Sequence, residues 1–335
     1  MHILVPFVII SFFSLFLSIN YKIALARTYL ITSILIIFIL LIFGKFNLLN
    51  LANELIKYSS IGFFLYLLVK KKINLNHTWN FLIILLFYFI LIWICKDLYF
   101  YKYDEFSEYG ITTKLIFSEN NLPSNIQYLS KGSHHKINFI SYFHYFFLKN
   151  TSEIFTESTT YIAHAFITFS LLVAILNFIN ISYLKKILIG LIFYFCIYAL
   201  GPGIDRLYLD TIVALFLSLI LLIYFNKHKV KSDYIILFLL VTAFPMIKPN
   251  ALIIIIGLLP IFILNSFYEK KIFLISLVFI ALLNNYLITQ LYIMDTSKYQ
   301  LNIYANKNLN INSNKNSNKN SNINTNIVQN KKFYI

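Results

Sequence analysis

The chain of 335 residues is 59% hydrophobic and only 12% charged, whereas soluble domains carry about 25% charged residues. Its formal net charge is +15, but the lysines lie in short clusters between apolar runs, and no DNA- or RNA-binding motif accompanies them. These features exclude an ordinary soluble domain and a nucleic-acid-binding protein, and they place the chain in the membrane class.

Apolar runs predict about ten membrane-spanning helices, several of them near or below the ~20 residues that a bilayer requires. The predicted spans are 3–19, 28–43, 51–69, 79–95, 159–179, 187–200, 210–225, 234–247, 250–267 and 272–290. The first run lacks a basic segment and a cleavage site, which predicts a span rather than a signal peptide. The fold class predicted is therefore an all-α, multi-spanning membrane protein.

Basic residues follow every odd-numbered span. The clusters are Lys22 with Arg27, Lys70–Lys72, Lys185 with Lys186, Lys227 with Lys229 and Lys231, and Lys270 with Lys271. The positive-inside rule makes these loops cytoplasmic and the chain a multi-pass protein of the cell inner (plasma) membrane. The even-numbered loops and the N-terminus are then external, including a large loop of about residues 96–158.

The third span contains the polar residues Asn53, Glu54 and Lys57. Glu54 and Lys57 are separated by three residues, so a helix places them on one face, where they can pair. Two interpretations stay open, because the pair either lies in the wet interface or contributes ionisable groups within the membrane.

The large external loop opens with Tyr103–Gly110, YDEFSEYG. This octet holds three of the chain's 13 acidic residues, Asp104, Glu105 and Glu108. A membrane protein that places its few carboxylates in one loop either uses them chemically or only solvates the loop with them. Apolar residues within Phe106–Phe117 recur at helical spacing, which predicts a helix on the membrane surface.

The segment His134–Leu148 is rich in aromatic residues and predicts a second interfacial helix. The side chains expected to face lipid are Phe139, Tyr142, Phe143 and Phe146. His134 and His135 are candidate ligands for phosphate or a metal ion. Adjacent residues of a helix point in different directions, so a site that uses both histidines is poorly formed.

Two further external turns place charges on the same side of the membrane. Gly201-Pro-Gly precedes Arg206, Tyr208 and Asp210, and a second turn contains Lys248 followed by Pro249. For each cation the alternative is structural, since Arg206 can pair with its neighbour Asp205 and Lys248 can snorkel to the interface. Carboxylates together with fixed cations at a membrane edge favour a reaction at a phosphate-bearing lipid.

These motifs resemble the GT-C class of integral-membrane glycosyltransferases, most closely the bacterial dolichyl-phosphate-mannosyltransferase-like proteins. Their external loop carries an aromatic-Asp-Glu motif of the WDEFSHWG kind, similar to YDEFSEYG here. The segment HHKINFISYFHYFF keeps the family's histidine and aromatics without its Pro-Pro-Gly, and Arg206–Asp210 and Ile247–Asn250 resemble its later Asp and Lys-Pro steps. The resemblance covers about residues 79–290.

The resemblance implies transfer of a sugar from a polyprenyl-phosphate donor to an acceptor at the outer face of the membrane, in the synthesis of cell-envelope glycans or glycoconjugates. Asp104 is then the base, and Glu105 supports it or holds a divalent metal ion; no other cofactor is implied. Arg206 and Lys248 contact the lipid phosphate. The other predicted substrate-binding residues are Glu108, His134, His135, Tyr208 and Asp210. The expected partners are the lipid-linked sugar and the bilayer, and nucleic acid is not among them.

Residues 296–335 form a second region, distinct from the membrane domain of residues 1–295. Asparagine occupies every even position from Asn306 to Asn326, and a tract so poor in apolar residues predicts a disordered tail.

Two other functions stay open beside the enzyme. One is a truncated, non-catalytic remnant of a GT-C protein, and the other is a transporter or flippase of lipid-linked sugars, which needs ionisable groups deep in several spans.

Overall fold

The computed structural model describes residues 2–100, 110–121, 139–179, 181–200, 207, 209–226, 231–248, 250–268 and 273–288. Every regular element within these ranges is a helix, as the sequence predicts. After a 3₁₀-helix at His2–Leu4, the α-helices are α1 (Val5–Tyr21), α2 (Leu25–Gly44), α3 (Leu49–Val69), α4 (Leu75–Cys95), α5 (Gly110–Glu119), α6 (Phe139–Thr151), α7 (Glu157–Leu176), α8 (Tyr183–Leu200), α9 (Leu209–Phe225), α10 (Lys231–Ile247), α11 (Asn250–Tyr268) and α12 (Phe273–Ile288).

A helix lies at each of the ten predicted spans, with ends that differ from the prediction by a few residues. Within the described part of the chain, four helical segments are long and apolar enough to cross a membrane: His2–Tyr21, Leu25–Gly44, Leu75–Cys95 and Glu157–Leu176. The apolar helices in the region of α9 to α12 are shorter. The structure thus supports a membrane protein, while the number of crossings and their direction stay predictions. The Asn-rich tail lies outside the described residues.

Local sequence signals explain where several helices begin and end. Pro6 lies in the first turn of α1, where its missing N–H costs no hydrogen bond. Lys22 ends that helix in the left-handed region, at φ 53°. At the start of α4 the Asn74 side chain accepts from the backbone N–H of His77, and the His77 ring accepts from the N–H of Asn74, which together form a capping box.

Helices α2, α6 and α7 contact one another and form the centre of the fold. In the most apolar 18-residue stretch of α7, 94% of the residues are buried, and the corresponding share for α2 is 78%. Helix α7 also packs against α4, α8 and α9, and α1 packs against α2, α3 and α6.

The prediction that α6 lies on the membrane surface is wrong. The four aromatic residues expected to face lipid, Phe139, Tyr142, Phe143 and Phe146, are completely buried. Helix α6 instead packs among α1, α2, α5, α7 and α10. Every residue of α6 from Phe139 to Leu148 is buried, so neighbouring helices rather than lipid cover it.

The outer surface of the bundle carries apolar stripes. On α4 the side chains of Leu82, Leu86, Phe89 and Trp93 recur at helical spacing, and all four are exposed. An exposed apolar stripe of this length on a protein in water is costly, whereas lipid tails solvate it. This surface supports the membrane assignment independently of helix length.

Candidate functional site

The polar side chains at one end of the bundle belong to residues near the basic loops. Lys72, after α3, donates to Asn20 Oδ1 of α1 at 2.6 Å. Arg27 at the start of α2 forms a buried ion pair with Asp233 at the start of α10, and its guanidinium lies 4.6 Å from the ring centre of Phe178 after α7. We call this the first end of the bundle. The basic loops predict that it is cytoplasmic.

The opposite end, where α3, α7 and α9 begin and α10 finishes, is the second end. Here Lys248 Nζ lies 2.5 Å from Asp210 Oδ1. Asp210 lies in the first turn of α9, where the helix dipole favours a carboxylate, and Lys248 follows the last turn of α10. Both residues were predicted from the sequence to belong to the substrate site, and the structure brings them together.

The Lys248 ammonium keeps some capacity for an additional ligand. It has three N–H donors, and Asp210 accepts one of them. The side chain of Lys248 is 34% exposed and that of Asp210 is 72% exposed. An ion pair this exposed contributes little stability, about 0–1 kcal/mol. Its main physical effect is therefore to hold the ammonium at the helix end, where it is able to meet an anion.

The other predicted site residues lie outside the described residues: Asp104, Glu105, Glu108, His134, His135, Arg206 and Tyr208. The chain immediately before the acidic motif is nevertheless described. The backbone N–H of Phe100 donates to Glu157 Oε2 at 2.6 Å, and Tyr161 Oη donates to the carbonyl of Tyr99 at 3.2 Å. Both acceptor and donor belong to the first turns of α7. The chain thus enters the acidic motif from the second end, the end that carries Lys248.

The polar part of α3 also lies at the second end, beside α6. The predicted pairing of Glu54 and Lys57 is confirmed, with Nζ and Oε2 3.4 Å apart. Asn53, which is buried, accepts from Asn150 Nδ2 of α6 at 2.7 Å. Burial and the neighbouring Glu54 carboxylate raise the pKa of Tyr145 in α6, so its hydroxyl stays protonated. The sequence predicted the pair but not its contact with α6, because nothing local indicates which helix covers α3.

The buried pair of Arg27 and Asp233 was not predicted, since Arg27 was assigned to a solvated basic loop. The available signal was a rare arginine at the start of one apolar run and a lone acid at the start of another.

The sequence alone left open whether the chain binds a metal ion. Among the described residues no group of three or more histidine, cysteine, aspartate or glutamate side chains is arranged to hold a metal ion. The acidic motif lies outside those residues.

No family model matches the chain, and no curated protein or solved structure matches it significantly.

Proposed function

We propose that this chain is a membrane glycosyltransferase that moves a sugar from a polyprenyl-phosphate donor to an acceptor at the outer face of the inner membrane. The observation that supports this function is the ion pair of Lys248 and Asp210, two residues assigned to the site independently. A polyprenyl chain lies in the bilayer and its phosphate at the bilayer edge. An ammonium fixed at the end of an apolar helix suits such a phosphate.

The proposed reaction divides the charges between two groups of residues. Asp104 accepts the proton of the acceptor hydroxyl, and the resulting oxygen attacks the anomeric carbon of the donor sugar. The bond between that carbon and the phosphate oxygen breaks, and polyprenyl phosphate leaves with the electron pair. Lys248 and Arg206 stabilise the negative charge on the departing phosphate. Glu105 orients Asp104 or holds a divalent cation.

The remaining residues are proposed to bind and position. Asp210 holds Lys248 in place through the ion pair, so it acts on the phosphate only through that lysine. Glu108, His134, His135 and Tyr208 are proposed to contact the hydroxyl groups and the phosphate of the donor. A divalent cation held by Glu105 is the one cofactor that this proposal leaves open.

The first experiment tests the acidic motif. Sugar transfer is measured in membranes for Asp104→Asn and Glu105→Gln, with expression matched to the parent chain. Removal of a general base lowers a rate by roughly 10²–10⁴-fold, and we expect a loss of that size for Asp104→Asn. Glu153→Gln is the control, because this glutamate lies in the same loop outside the motif. Equal transfer by all three variants would show that the motif only solvates the loop.

The second experiment tests the cation. Lys248→Gln removes a charged donor to the lipid phosphate, and we expect kcat/KM for the donor to fall roughly 10- to 100-fold. Lys96→Gln is the matched control, since Lys96 follows α4 at the second end and forms its own exposed ion pair with Asp97, at 3.8 Å. Transfer by the Lys248 variant at the level of the control contradicts the proposed phosphate contact. If the parent transfers sugar from no lipid-linked donor, the chain is a non-catalytic remnant.

A further inference from the structure

Two histidines face each other inside the helical core, away from Lys248 and Asp210. His144 belongs to α6 and His164 to α7, and each is only 2% exposed. Their ring centres are 5.7 Å apart and the rings are inclined by 48°. The α5 residue Thr113 and the α6 residue Ser141, both buried, complete a polar cluster from three helices. Neither histidine was predicted as a site residue, because each lies within an apolar run.

Hydrogen bonds orient the ring of His144. Thr113 Oγ1 donates to Ser141 Oγ at 3.1 Å, and it lies 3.4 Å from His144 Nδ1. A hydroxyl has one proton, so a threonine that donates to Ser141 accepts from the Nδ1–H of His144. The proton of the neutral ring is then on Nδ1, and Nε2 carries a lone pair. Among the described residues Nε2 has no hydrogen-bond partner.

We propose that His144 and His164 bind a single transition-metal ion between their rings, and that the ion is Cu(I). The inference is independent of the proposed sugar transfer. A ligating histidine that donates its second ring N–H to an oxygen is the usual arrangement around a bound metal, and Thr113 is that oxygen here. The ion accounts for a buried nitrogen lone pair that otherwise lacks a partner.

The spacing of the rings fits one shared ion. A metal–nitrogen bond is about 2.0 Å, so two imidazoles on one ion have their ring centres at most about 6 Å apart. The observed 5.7 Å falls within this limit.

Among the described residues the donor set favours Cu(I) over Zn²⁺. Zinc takes four ligands, of which a protein supplies at least three. The described residues place two histidines at this point, and no third histidine, cysteine or carboxylate among them joins the pair. Monovalent copper is stable with two nitrogen ligands. Its single charge also costs less to bury, because the desolvation penalty rises with the square of the charge.

The test measures the bound metal in the purified full chain in lipid nanodiscs. The protein is incubated with Cu(I) under reducing conditions or with Zn²⁺ and then desalted, and its metal content is determined by mass spectrometry. We expect about one copper per chain, little zinc, and an X-ray absorption spectrum with two nitrogen neighbours at about 2.0 Å. A parent chain that retains no copper, or a copper without nitrogen neighbours, overturns the proposal and makes the pair a hydrated polar pocket.

Substitutions locate the ion. His144→Asn and His164→Asn are each expected to lose the copper, whereas His77→Asn, a change at a half-buried histidine near the exposed start of α4, keeps it. Thr113→Val leaves both imidazoles in place but removes the partner of Nδ1, and it should weaken copper binding roughly 10- to 100-fold. Full binding by either Asn variant overturns the proposal. If those variants do not fold, the spectrum of the parent chain decides.

Discussion

The buried ion pair of Arg27 and Asp233 gives the sharpest stability prediction. The two side chains are 9% and 1% exposed, and the pair joins α2 to α10 at the first end. Arg27→Met keeps much of the apolar stem and removes the charge, which takes the guanidinium away from the buried Asp233 carboxylate. Removal of one partner of a buried pair costs about 3–5 kcal/mol. We expect Arg27→Met to lower the free energy of unfolding by about that amount.

The assay is denaturant unfolding of the purified chain in mixed micelles, with tryptophan fluorescence as the signal. Lys70→Met is the matched control, because Lys70 follows α3 near the same end and is exposed. Its effect should stay within about 0.5 kcal/mol. The double variant Arg27→Met with Asp233→Leu removes both charges, and it should recover most of the loss, since neither charge is then left buried.

Two results would refute this reasoning. If Arg27→Met destabilises the chain no more than Lys70→Met, the guanidinium is not buried against Asp233. If the double variant is less stable than Arg27→Met alone, removal of the cation from the buried carboxylate is not the cause of the loss. The contact of Arg27 with the ring of Phe178 would then be the next candidate, and Phe178→Leu in the parent chain measures its contribution.

Two other predictions concern packing and sidedness. A Cβ at Gly190 of α8 would lie 3.1 Å from Phe169 Cε2 of α7, so Gly190→Val should cost about 1–3 kcal/mol in the same unfolding assay. Gly62→Val, where a Cβ meets nothing within 4 Å, should cost less than about 1 kcal/mol, and equal losses would contradict close packing of α8 on α7. In a cysteine-free chain, a membrane-impermeant thiol reagent should label Ser107→Cys in cells with a permeable outer membrane and should leave Lys71→Cys unlabelled. The reverse pattern would invert the topology.

The positions of the helices could be predicted from the sequence because the signals are local. An apolar run such as that of α4, bounded by Asn74 and Lys96, specifies both a helix and its approximate ends. The pair of Glu54 and Lys57 was predictable for the same reason, since the two residues are three positions apart on adjacent turns of α3. The separate assignment of Asp210 and Lys248 to helix ends likewise required only the runs that flank them.

Contacts between helices required the tertiary structure. Asp210 and Lys248 meet because α9 packs against α10, and Arg27 reaches Asp233 across 206 residues of sequence. The surface assignment of α6 failed because its aromatic residues are equally compatible with lipid and with a protein core. Only the packing of α2 and α7 around α6 decides between them. Apolar periodicity reports which faces avoid water, but in a membrane protein both lipid and neighbouring helices satisfy that requirement, so the partner of each face is decided by three-dimensional packing alone.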